Sequence, residues 1–438
     1  MALTASTMEH DAVVLHSHGG RVDPGDIAIG VIIGRTSEFF DFFVYAIASV
    51  IVFPRLLFPE ADPLTGTLYS FGLFALAFIA RPFGTALFLA VDRTWGRGAK
   101  LTIALFLLGT STVAIAFLPA RDVIGVSAVW LLASARIAQG LAWGGAWDGL
   151  APLLAMNAPE GRRGWYAMLP QLGAPLGLIV ASILFAYFAG SLSTEDFYSW
   201  GWRYPFFVAF AINVVALFAR LRMAVTPEYE QLFERGDLQP APVLETVREE
   251  GSGIAVGTFA PLATFALFHM VTVFPLSWVY LFTSEGATRF LVVETIGAMV
   301  GIIAIVASGR IADKVGRRTL LGASAAAIAV FSGFAPQLLN GGIAGELTFM
   351  VLGFALLGIS FGQSSGAVAS RFANRYRYTA SAITNDFAWL FGAGFAPLAA
   401  LLLSSHFGLV AAGAYLLSGC VCTLLALRLN KRLEMGGG

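Results

Sequence analysis

The segment VDRTWGRGAK, from Val91 to Lys100, places an aspartate, a basic residue and a Gly-Arg pair between two long apolar runs. The same order recurs in IADKVGRR, from Ile311 to Arg318, so that Asp92 and Asp313 lie about half a chain length apart. A second pair of similar segments, APEGRRGWYA and ANRYRYTASA, occupies corresponding places further along each half. The sequence therefore predicts two copies of one structural unit.

Composition predicts that this unit lies in a membrane. Of the 438 residues, 57% are hydrophobic and 12% charged, and the mean hydropathy is +0.76, whereas soluble proteins have about 25% charged residues. The formal net charge is zero, which gives no support to nucleic acid as a partner. The two cysteines, Cys420 and Cys422, lie in the last apolar run and cannot form a four-ligand metal site. We expect a lipid bilayer, no nucleic acid and no metal.

Twelve apolar runs are long enough to cross a bilayer, which takes about 20 residues. They lie near 27–53, 66–90, 100–119, 127–149, 165–189, 203–221, 256–283, 289–311, 319–338, 347–369, 379–404 and 406–429. We therefore predict an all-α membrane protein with twelve transmembrane helices in two pseudo-symmetric six-helix bundles. The bundles cover residues 27–221 and 256–429. A polar linker at 222–255 joins them, with tails at 1–26 and 430–438.

The distribution of Lys and Arg predicts the orientation, because these residues are concentrated on the cytoplasmic side of membrane proteins. With a cytoplasmic N-terminus, twenty of the 27 basic residues lie inside and four outside. Both tails, the linker and the duplicated loops are therefore expected in the cytoplasm. A duplicated six-helix unit is a transporter architecture, and its substrate site is expected between the halves at the midplane.

The duplicated loops resemble the signature of the major facilitator superfamily, and the resemblance covers nearly the whole chain. Within it, TSEFFDFFVYA in the first span, ARPFG in the second and RIAQGLAWGGAWDG in the fourth resemble the metabolite:proton symporters. This resemblance implies transport of dicarboxylates, 2-oxoacids, citrate, shikimate, aromatic acids, or betaine and proline, generally with protons. Some positions depart from the family pattern, which affects the expected substrate but not the fold: Trp95, Ala146, Asp148 and Asp386.

Three charged residues interrupt the first apolar run: Arg35, Glu38 and Asp41. An ionisable group at membrane depth costs at least about 2.5–3.5 kcal/mol, so these side chains are expected to face a polar cavity. Helical spacing places Glu38, Asp41 and Tyr45 on one face, and repulsion between two carboxylates one turn apart favours protonation of one. We predict Asp41 and then Glu38 as proton-coupling residues. The alternative is a static ion pair between Arg35 and Glu38.

Other polar residues within spans are candidates for the same site. Arg136 presents a fork of donors suited to a carboxylate, and both substrate binding and a structural partnership with Glu38 or Asp41 stay open. His269 and Asp386 are further proton-coupling candidates, with packing as the alternative for the histidine. Glu294 is expected to pair with Arg289 or to gate the outer mouth. The remaining predicted substrate-binding residues are Tyr45, Gln139, Trp143, Gln171 and Asn385.

Charged residues near the duplicated loops are expected to form ion pairs that close the inner gate in one state and separate in the other. The superfamily resemblance supports this role for Asp92 and Asp313. The alternative is a solvated loop that only fixes topology. The other predicted gating residues are Arg81, Arg93, Arg97, Asp148, Arg162, Arg163 and Arg317.

These patterns predict a monomeric secondary transporter of the inner membrane that works by alternating access. Proton-coupled symport of a small organic anion is the leading function, with protons as the coupling ion and no cofactor. A proton-coupled exporter of a drug or metabolite, or uptake of a zwitterionic osmolyte, is the alternative. An intramembrane enzyme is disfavoured, because the spans contain no zinc-binding histidine pair and no nucleophile–base constellation.

Overall fold

A computed structural model describes residues 24–147, 149, 151, 154–155, 158–159, 161–224, 239–364 and 372–429. The predicted tails beyond these limits, linker residues 225–238 and Asp148 lie outside the described residues. All regular structure in the described part of the chain is helical. The fold class predicted from the sequence is therefore confirmed.

Within the described residues of the N-terminal half, nine α-helices have defined bounds, with short 3-10 turns at Leu169–Leu172 and Gly201–Arg203. They are α1 (Pro24–Ile51), α2 (Phe53–Leu57), α3 (Pro63–Ala116), α4 (Arg121–Ile124), α5 (Ser127–Ala146), α6 (Arg163–Met168), α7 (Gly173–Ser191), α8 (Thr194–Ser199) and α9 (Tyr204–Ala224). The C-terminal half contains α10 (Val243–Phe259), α11 (Leu262–Thr272), α12 (Phe274–Phe282), α13 (Ala287–Val315), α14 (Arg317–Leu338), α15 (Gly342–Phe361), α16 (Asn374–Trp389), α17 (Ala396–Phe407) and α18 (Val410–Leu429). A π-turn at Leu390–Gly394 joins α16 to α17.

Twelve spans can be traced through these helices. In the described residues, nine helical segments are long and apolar enough to cross a membrane, and α3 alone contains the second and third predicted spans. The first and fourth spans are α1 and α5, which carry the charged residues noted above. Part of the predicted linker is also helical, because α10 begins at Val243.

The duplicated loops make the same backbone turn. Inside α3, Gly96 leaves the helical conformation with φ 82°, and Gly316 between α13 and α14 has φ 83°. These are left-handed conformations that glycine adopts without steric cost. The glycine of each Gly-Arg pair therefore reverses the chain between two spans, which explains why the motif occurs twice.

Small residues let α3 and α5 pack with their backbones in contact. A Cβ added at Gly84, Gly140 or Gly144 would lie 2.2–2.3 Å from a backbone atom of the facing helix. A side chain does not fit at these positions, and small residues are commonly used this way between membrane helices. This packing holds Arg136 of α5 against Phe74 of α3.

The two halves meet along seams in which α6 and α7 pack on α13, α3 packs on α16 and α17, and α1 packs on α12. Aromatic rings from both halves meet at the centre, where Phe39 of α1 lies 6.0 Å from Phe268 of α11 and 6.0 Å from Trp389 of α16. We call the end of the bundle that carries the duplicated loops the basic end, and the opposite end the far end. Contacts between the halves occur toward both ends, and a cavity lies between them.

Candidate substrate and proton sites

A small cavity lies between the halves, beside the middle of α1. Its wall combines charged groups with aromatic rings, a composition that suits a small ligand with an ionic group and an apolar body. The lining residues are Arg35, Glu38, Phe39, Phe42, Phe78, Arg81, Trp143 and Trp389. All but Trp389 belong to the N-terminal half.

Arg35 and Glu38 form an ion pair on the cavity wall. Arg35 Nη1 donates to Glu38 Oε2 at 2.8 Å, and the two side chains are 19% and 16% exposed. The guanidinium also lies 5.0 Å from the centre of the Phe39 ring. The pair matches the static alternative considered from the sequence, but its exposure leaves both groups within reach of a ligand.

A second ion pair connects the two halves at the same cavity. Arg81 Nε of α3 donates to Asp386 Oδ1 of α16 at 2.8 Å, and Thr85 Oγ1 donates to Asp386 Oδ2. Asp386 is 1% exposed. Because the bond to Asp386 uses Nε, the terminal amino groups of Arg81 are the donors that this residue can offer to a cavity ligand. Asp386 therefore contributes to the site through Arg81.

Asp41 does not line the cavity but is buried within the N-terminal half. Its Oδ1 accepts hydrogen bonds from Thr112 Oγ1 at 2.5 Å and Asn213 Nδ2 at 3.3 Å. Ser37 Oγ in turn donates to Asn213 Oδ1 at 3.1 Å. Among the described residues, Asp41 Oδ2 has no hydrogen-bond partner. One oxygen is thus held by neutral donors, and the other has room for a proton.

Arg136 is connected to Asp41 by a chain of hydrogen bonds. Arg136 Nη1 donates to Gln139 Oε1 at 2.7 Å, Gln139 Nε2 donates to Thr112 Oγ1 at 2.9 Å, and Thr112 donates to Asp41. The guanidinium is fully buried and lies 3.7 Å from the centre of the Tyr45 ring. It makes no ion pair within the described part of the chain. This arrangement corresponds to the structural alternative for Arg136, with an indirect rather than direct link to Asp41.

His269 packs as an aromatic ring beside the cavity. It stacks on Phe42 at 5.4 Å with an interplanar angle of 21° and contacts Phe74 and Phe78 edge-on. Its Nδ1 lies 3.4 Å from Thr272 Oγ1, and its Nε2 has no partner in the described residues. Phe42 separates the imidazole from the cavity, so the contacts are those of the packing alternative.

The other predicted substrate-binding residues are dispersed. Trp143 lines the cavity, whereas Tyr45 and Gln139 belong to the Arg136 chain. Gln171 Nε2 approaches Ser364 Oγ at 3.5 Å across the halves, and Asn385 is half-buried. Neither lines the cavity.

Sequence reasoning missed four rings of the cavity wall: Phe39 and Phe42 of α1, and also Phe78 and Trp389. The last two carry a signal in the sequence. Each stands three residues from a member of the cross-half ion pair, because Phe78 precedes Arg81 and Trp389 follows Asp386. Residues three apart on a helix share a face. This spacing was the signal that could have found them.

At the basic end, Asp313 of α13 caps a helix of the other half. Its Oδ1 accepts from the backbone N–H of Gly164 at 2.6 Å, and its Oδ2 from that of Trp165 at 3.2 Å. These N–H groups belong to the first turn of α6, where backbone N–H groups have no acceptor within their own helix. Gln363 Nε2 adds a bond to the Gly164 carbonyl at 3.0 Å. The contact thus joins the halves directly.

In the described part of the chain, Asp92 is linked to the other half through a cation. Its Oδ2 lies 3.8 Å from Arg97 Nε and 3.6 Å from Lys100 Nζ. Lys100 then donates to Tyr378 Oη of α16 at 2.7 Å and to the Trp147 carbonyl at 2.8 Å. Lys100 closes the motif quoted first but was not among the predicted gating residues.

The remaining predicted gating residues differ in what they contact. Arg93 donates to the Ala241 carbonyl at 3.2 Å, and Arg317 to the Gln363 carbonyl at 2.9 Å. Arg162 and Arg163 are exposed at the beginning of α6.

The expected pair of Arg289 with Glu294 is wrong. Arg289 instead binds Glu285 at 2.7 Å and Glu346 at 2.5 Å. These two carboxylates lie toward the end of α13 at which Arg289 stands, and Glu294 is buried deeper in the seam, where its contact is Ser182.

Comparison with known proteins identifies the family. Residues 36–397 match the Major Facilitator Superfamily. The "Inner membrane metabolite transport protein YhjE" of Escherichia coli (strain K12) is 35% identical over 98% of each chain, and the "Shikimate transporter" of the same strain is 28% identical over 92% of this chain and 94% of its own. The crystal structure of D-xylose-proton symporter has the same fold, with a TM-score of 0.69 at 20% identity over 92% of this chain and 97% of that one. The chain is therefore a multi-pass membrane transport protein rather than an enzyme, and it belongs to the major facilitator superfamily.

Proposed function

We propose that the protein is a proton-coupled symporter of a small organic anion. The observation that carries this proposal is the pairing of both cavity arginines with carboxylates: Arg35 with Glu38, and Arg81 with Asp386. Each guanidinium is neutralised by an acid of the protein, so an anion can bind with full charge complementarity only when an acid takes up a proton. Proton and anion then enter the cavity together.

The geometry of a guanidinium makes such an exchange specific. Arginine forms two parallel bonds with a carboxylate, and these charge-assisted bonds are about twice as strong as neutral ones. Protonation of Glu38 removes its charge from Arg35 and leaves a fork of donors on the cavity wall. A substrate carboxylate can occupy the place of the protein carboxylate. Arg81 offers its terminal amino groups to a second acidic or polar group of the ligand.

The aromatic part of the wall supports a substrate with an apolar carbon skeleton. The wall contains five aromatic rings, those of Phe39, Phe42, Phe78, Trp143 and Trp389. Flat rings contribute apolar contact area without requiring hydrogen bonds, and buried ligand sites are mostly lined in this way. The relative that is named a shikimate transporter agrees with this substrate class.

Asp41 is the first candidate for the proton that is carried through the cycle, and Glu38 is the second. Its Oδ1 is held by Thr112 and Asn213, while Oδ2 has no partner among the residues described. The hydrogen-bond chain through Thr112 and Gln139 connects its charge state to Arg136. Loss or gain of the proton therefore changes the stabilisation of a buried cation on the neighbouring helix.

A zwitterionic osmolyte is the second candidate, and one feature of the cavity favours it. Glu38 lies among aromatic rings, and a carboxylate with rings is the environment that binds quaternary ammonium groups. The guanidinium of Arg35 or Arg81 would bind the carboxylate end of the same molecule. A thermal-shift panel of organic acids, amino acids and betaines distinguishes the two classes, because a ligand that binds the native state raises its apparent stability.

The transport cycle is tested by uptake into proteoliposomes with an imposed pH gradient, beside exchange without a gradient. Asp41→Asn should abolish accumulation against a concentration gradient and leave exchange partly intact, because exchange needs no net proton movement. Asp122→Asn, an exposed acid of α4, is the matched control and should accumulate substrate as the unmodified protein does. Proton-driven accumulation by Asp41→Asn at the unmodified level would place the coupling proton elsewhere.

We also propose that the protein works as a monomer and that its basic end faces the cytoplasm. The excess of Lys and Arg at this end supports the orientation. Gln239, which is exposed before α10, provides the test. A single cysteine there should react with a membrane-impermeant reagent only after the cytoplasmic side is opened, and labelling of intact cells would reverse the assignment.

A further inference from the structure

Glu294 of α13 is buried in the seam that α13 forms with α7. The side chain is 0% exposed, and Ser182 Oγ of α7 donates to its Oε2 at 3.3 Å. Its Oε1 has no hydrogen-bond partner among the described residues. A carboxyl group thus joins the two halves through one long bond to a neutral hydroxyl. Neither the ion pairs of the cavity nor the Asp41 chain involves it.

Glu294 lies near a second, small and apolar cavity between the halves. Leu178 of α7 and Gly301 of α13 line this cavity. Ser182 stands one turn beyond Leu178, and Glu294 about two turns before Gly301, both toward the far end. The Glu294–Ser182 contact therefore lies on the far-end side of this cavity.

The surroundings of Glu294 provide no charge that could stabilise its ionised form. The only titratable side chains on the described helices that pack against α13 are Tyr187 of α7, Glu346 of α15, Tyr280 of α12, Arg163 and Tyr166 of α6, and Arg317 and Arg318 of α14. On α13 itself they are Arg289, Arg310, Asp313 and Lys314. Arg289 binds Glu285 and Glu346, Tyr187 is exposed, Tyr280 contacts Tyr198, and the others lie toward the basic end. Within the described chain, Glu294 takes part in no ion pair.

An ionised carboxylate in such a place is far less favourable than the neutral acid, because burial removes its hydration and one neutral donor does not replace it. The closed seam therefore favours the acid form. When α7 and α13 separate, water reaches the carboxyl group and the proton can leave. By linkage, closure of the seam favours proton uptake, and proton uptake favours closure to the same extent.

We propose that Glu294 is a protonation site that controls closure of the far end: its acid form holds α7 against α13, and its ionised form releases them. The far end carries few basic residues and is the predicted outer mouth. Protons from outside would then favour closure of the far end after the substrate has bound. The inference requires neither an organic anion nor a proton on Asp41, and it can be tested without substrate.

The test measures the width of the far end as a function of pH. Spin labels are placed on Tyr187→Cys of α7 and Val292→Cys of α13, two exposed positions, in a background with Cys420→Ala and Cys422→Ala. Pulsed electron resonance on the protein in nanodiscs gives the distance distribution. The labelled protein should show a single short distance at acid pH and gain a longer component as pH rises. Glu294→Gln, a neutral mimic of the acid, should lose that component at every pH.

Two further variants keep the test decisive. Asp41→Asn should retain the pH-dependent component, because Asp41 lies outside the seam. Ser182→Ala removes the described donor to the buried acid and so weakens the closed seam. The pH at which the longer distance appears should therefore be lower than in the parent protein. This result tests the proposal even if Glu294→Gln does not fold. A Glu294→Gln protein that opens with the same pH profile as its parent would overturn the proposal. So would a Ser182→Ala transition at an unchanged pH, or loss of the transition in Asp41→Asn alone.

Discussion

The two duplicated loops have the same sequence order and the same glycine turn but join the halves in different ways. Asp313 accepts two backbone N–H groups of α6, which belongs to the opposite half. Asp92 pairs with Lys100 of its own half, and Lys100 donates a hydrogen bond to Tyr378 of the other half. Asp313 thus joins the two halves directly, whereas Asp92 holds the lysine that makes the contact between them. Duplication preserved the backbone turn, and the side-chain chemistry at the two seams diverged.

The difference has an energetic basis. A carboxylate at a helix N-terminus satisfies N–H groups that otherwise have no acceptor and interacts favourably with the helix dipole. Ion pairs at 3.6–3.8 Å are too long for hydrogen bonds. We therefore expect the α6–α13 seam to depend on its aspartate more strongly than the α3–α16 seam does.

The largest effect is expected for Asp313→Ala. The substitution removes both bonds to α6, and loss of a helix cap costs about 1–2 kcal/mol, which shifts the balance between closed and open basic ends about five- to thirtyfold. Turnover should fall more than substrate affinity, because the site is distant from the cavity. Spin labels at Trp95→Cys and Val315→Cys report the separation, and proteoliposome uptake reports turnover. Asp313→Asn, which keeps one acceptor oxygen, should be intermediate; an unchanged distance distribution in Asp313→Ala would contradict a direct role of Asp313 in joining the halves.

A smaller effect is expected for Tyr378→Phe. This change removes the hydroxyl that Lys100 binds across the halves but keeps the ring that lies 4.6 Å from the Arg97 guanidinium. The same hydroxyl donates a longer bond of 3.3 Å to the Trp147 carbonyl, which is lost as well. The loss of each hydrogen bond costs about 0.5–1.5 kcal/mol. The same label pair should show a modest gain of the open component. If Tyr378→Phe opened the basic end more than Asp313→Ala, the ranking of the two seams would be reversed.

The smallest effect on the basic end is expected for Asp92→Asn. The lysine keeps its bonds to Tyr378 and Trp147, so the contact between the halves persists. The cost falls instead on overall stability, because Arg97 and Lys100 are buried and lose the charge of the carboxylate. Turnover should fall less than in Asp313→Asn, measured side by side. An equal loss in the two variants would show that the loops act symmetrically in spite of their different contacts.

The fold could be predicted from the sequence because its determinants are local. A span needs only a long enough apolar run, and the turn at Gly96 or Gly316 needs only a glycine in the right place. The charged residues of α1 also indicated a polar site beside that helix, and Glu38 does line the cavity.

The arrangement of the site could not be predicted in the same way, because it depends on partners distant in the chain. Asp386 is held by Arg81, and Glu294 by Ser182, in each case from the other half. Arg136 is turned toward Tyr45 because α5 lies backbone to backbone against α3, a packing distance that no local pattern states. Which face of a span meets the cavity is decided by packing and not by spacing.

The glycine contact between α3 and α5 has a mechanical consequence. With backbone on backbone at Gly84, Gly140 and Gly144, there are no intervening side chains whose rotamers could absorb a sliding motion. We therefore expect α3 and α5 to move as one rigid unit. Arg81 belongs to α3 and Arg136 to α5. The cavity arginine and the buried arginine should therefore move together when the two halves change their relative orientation.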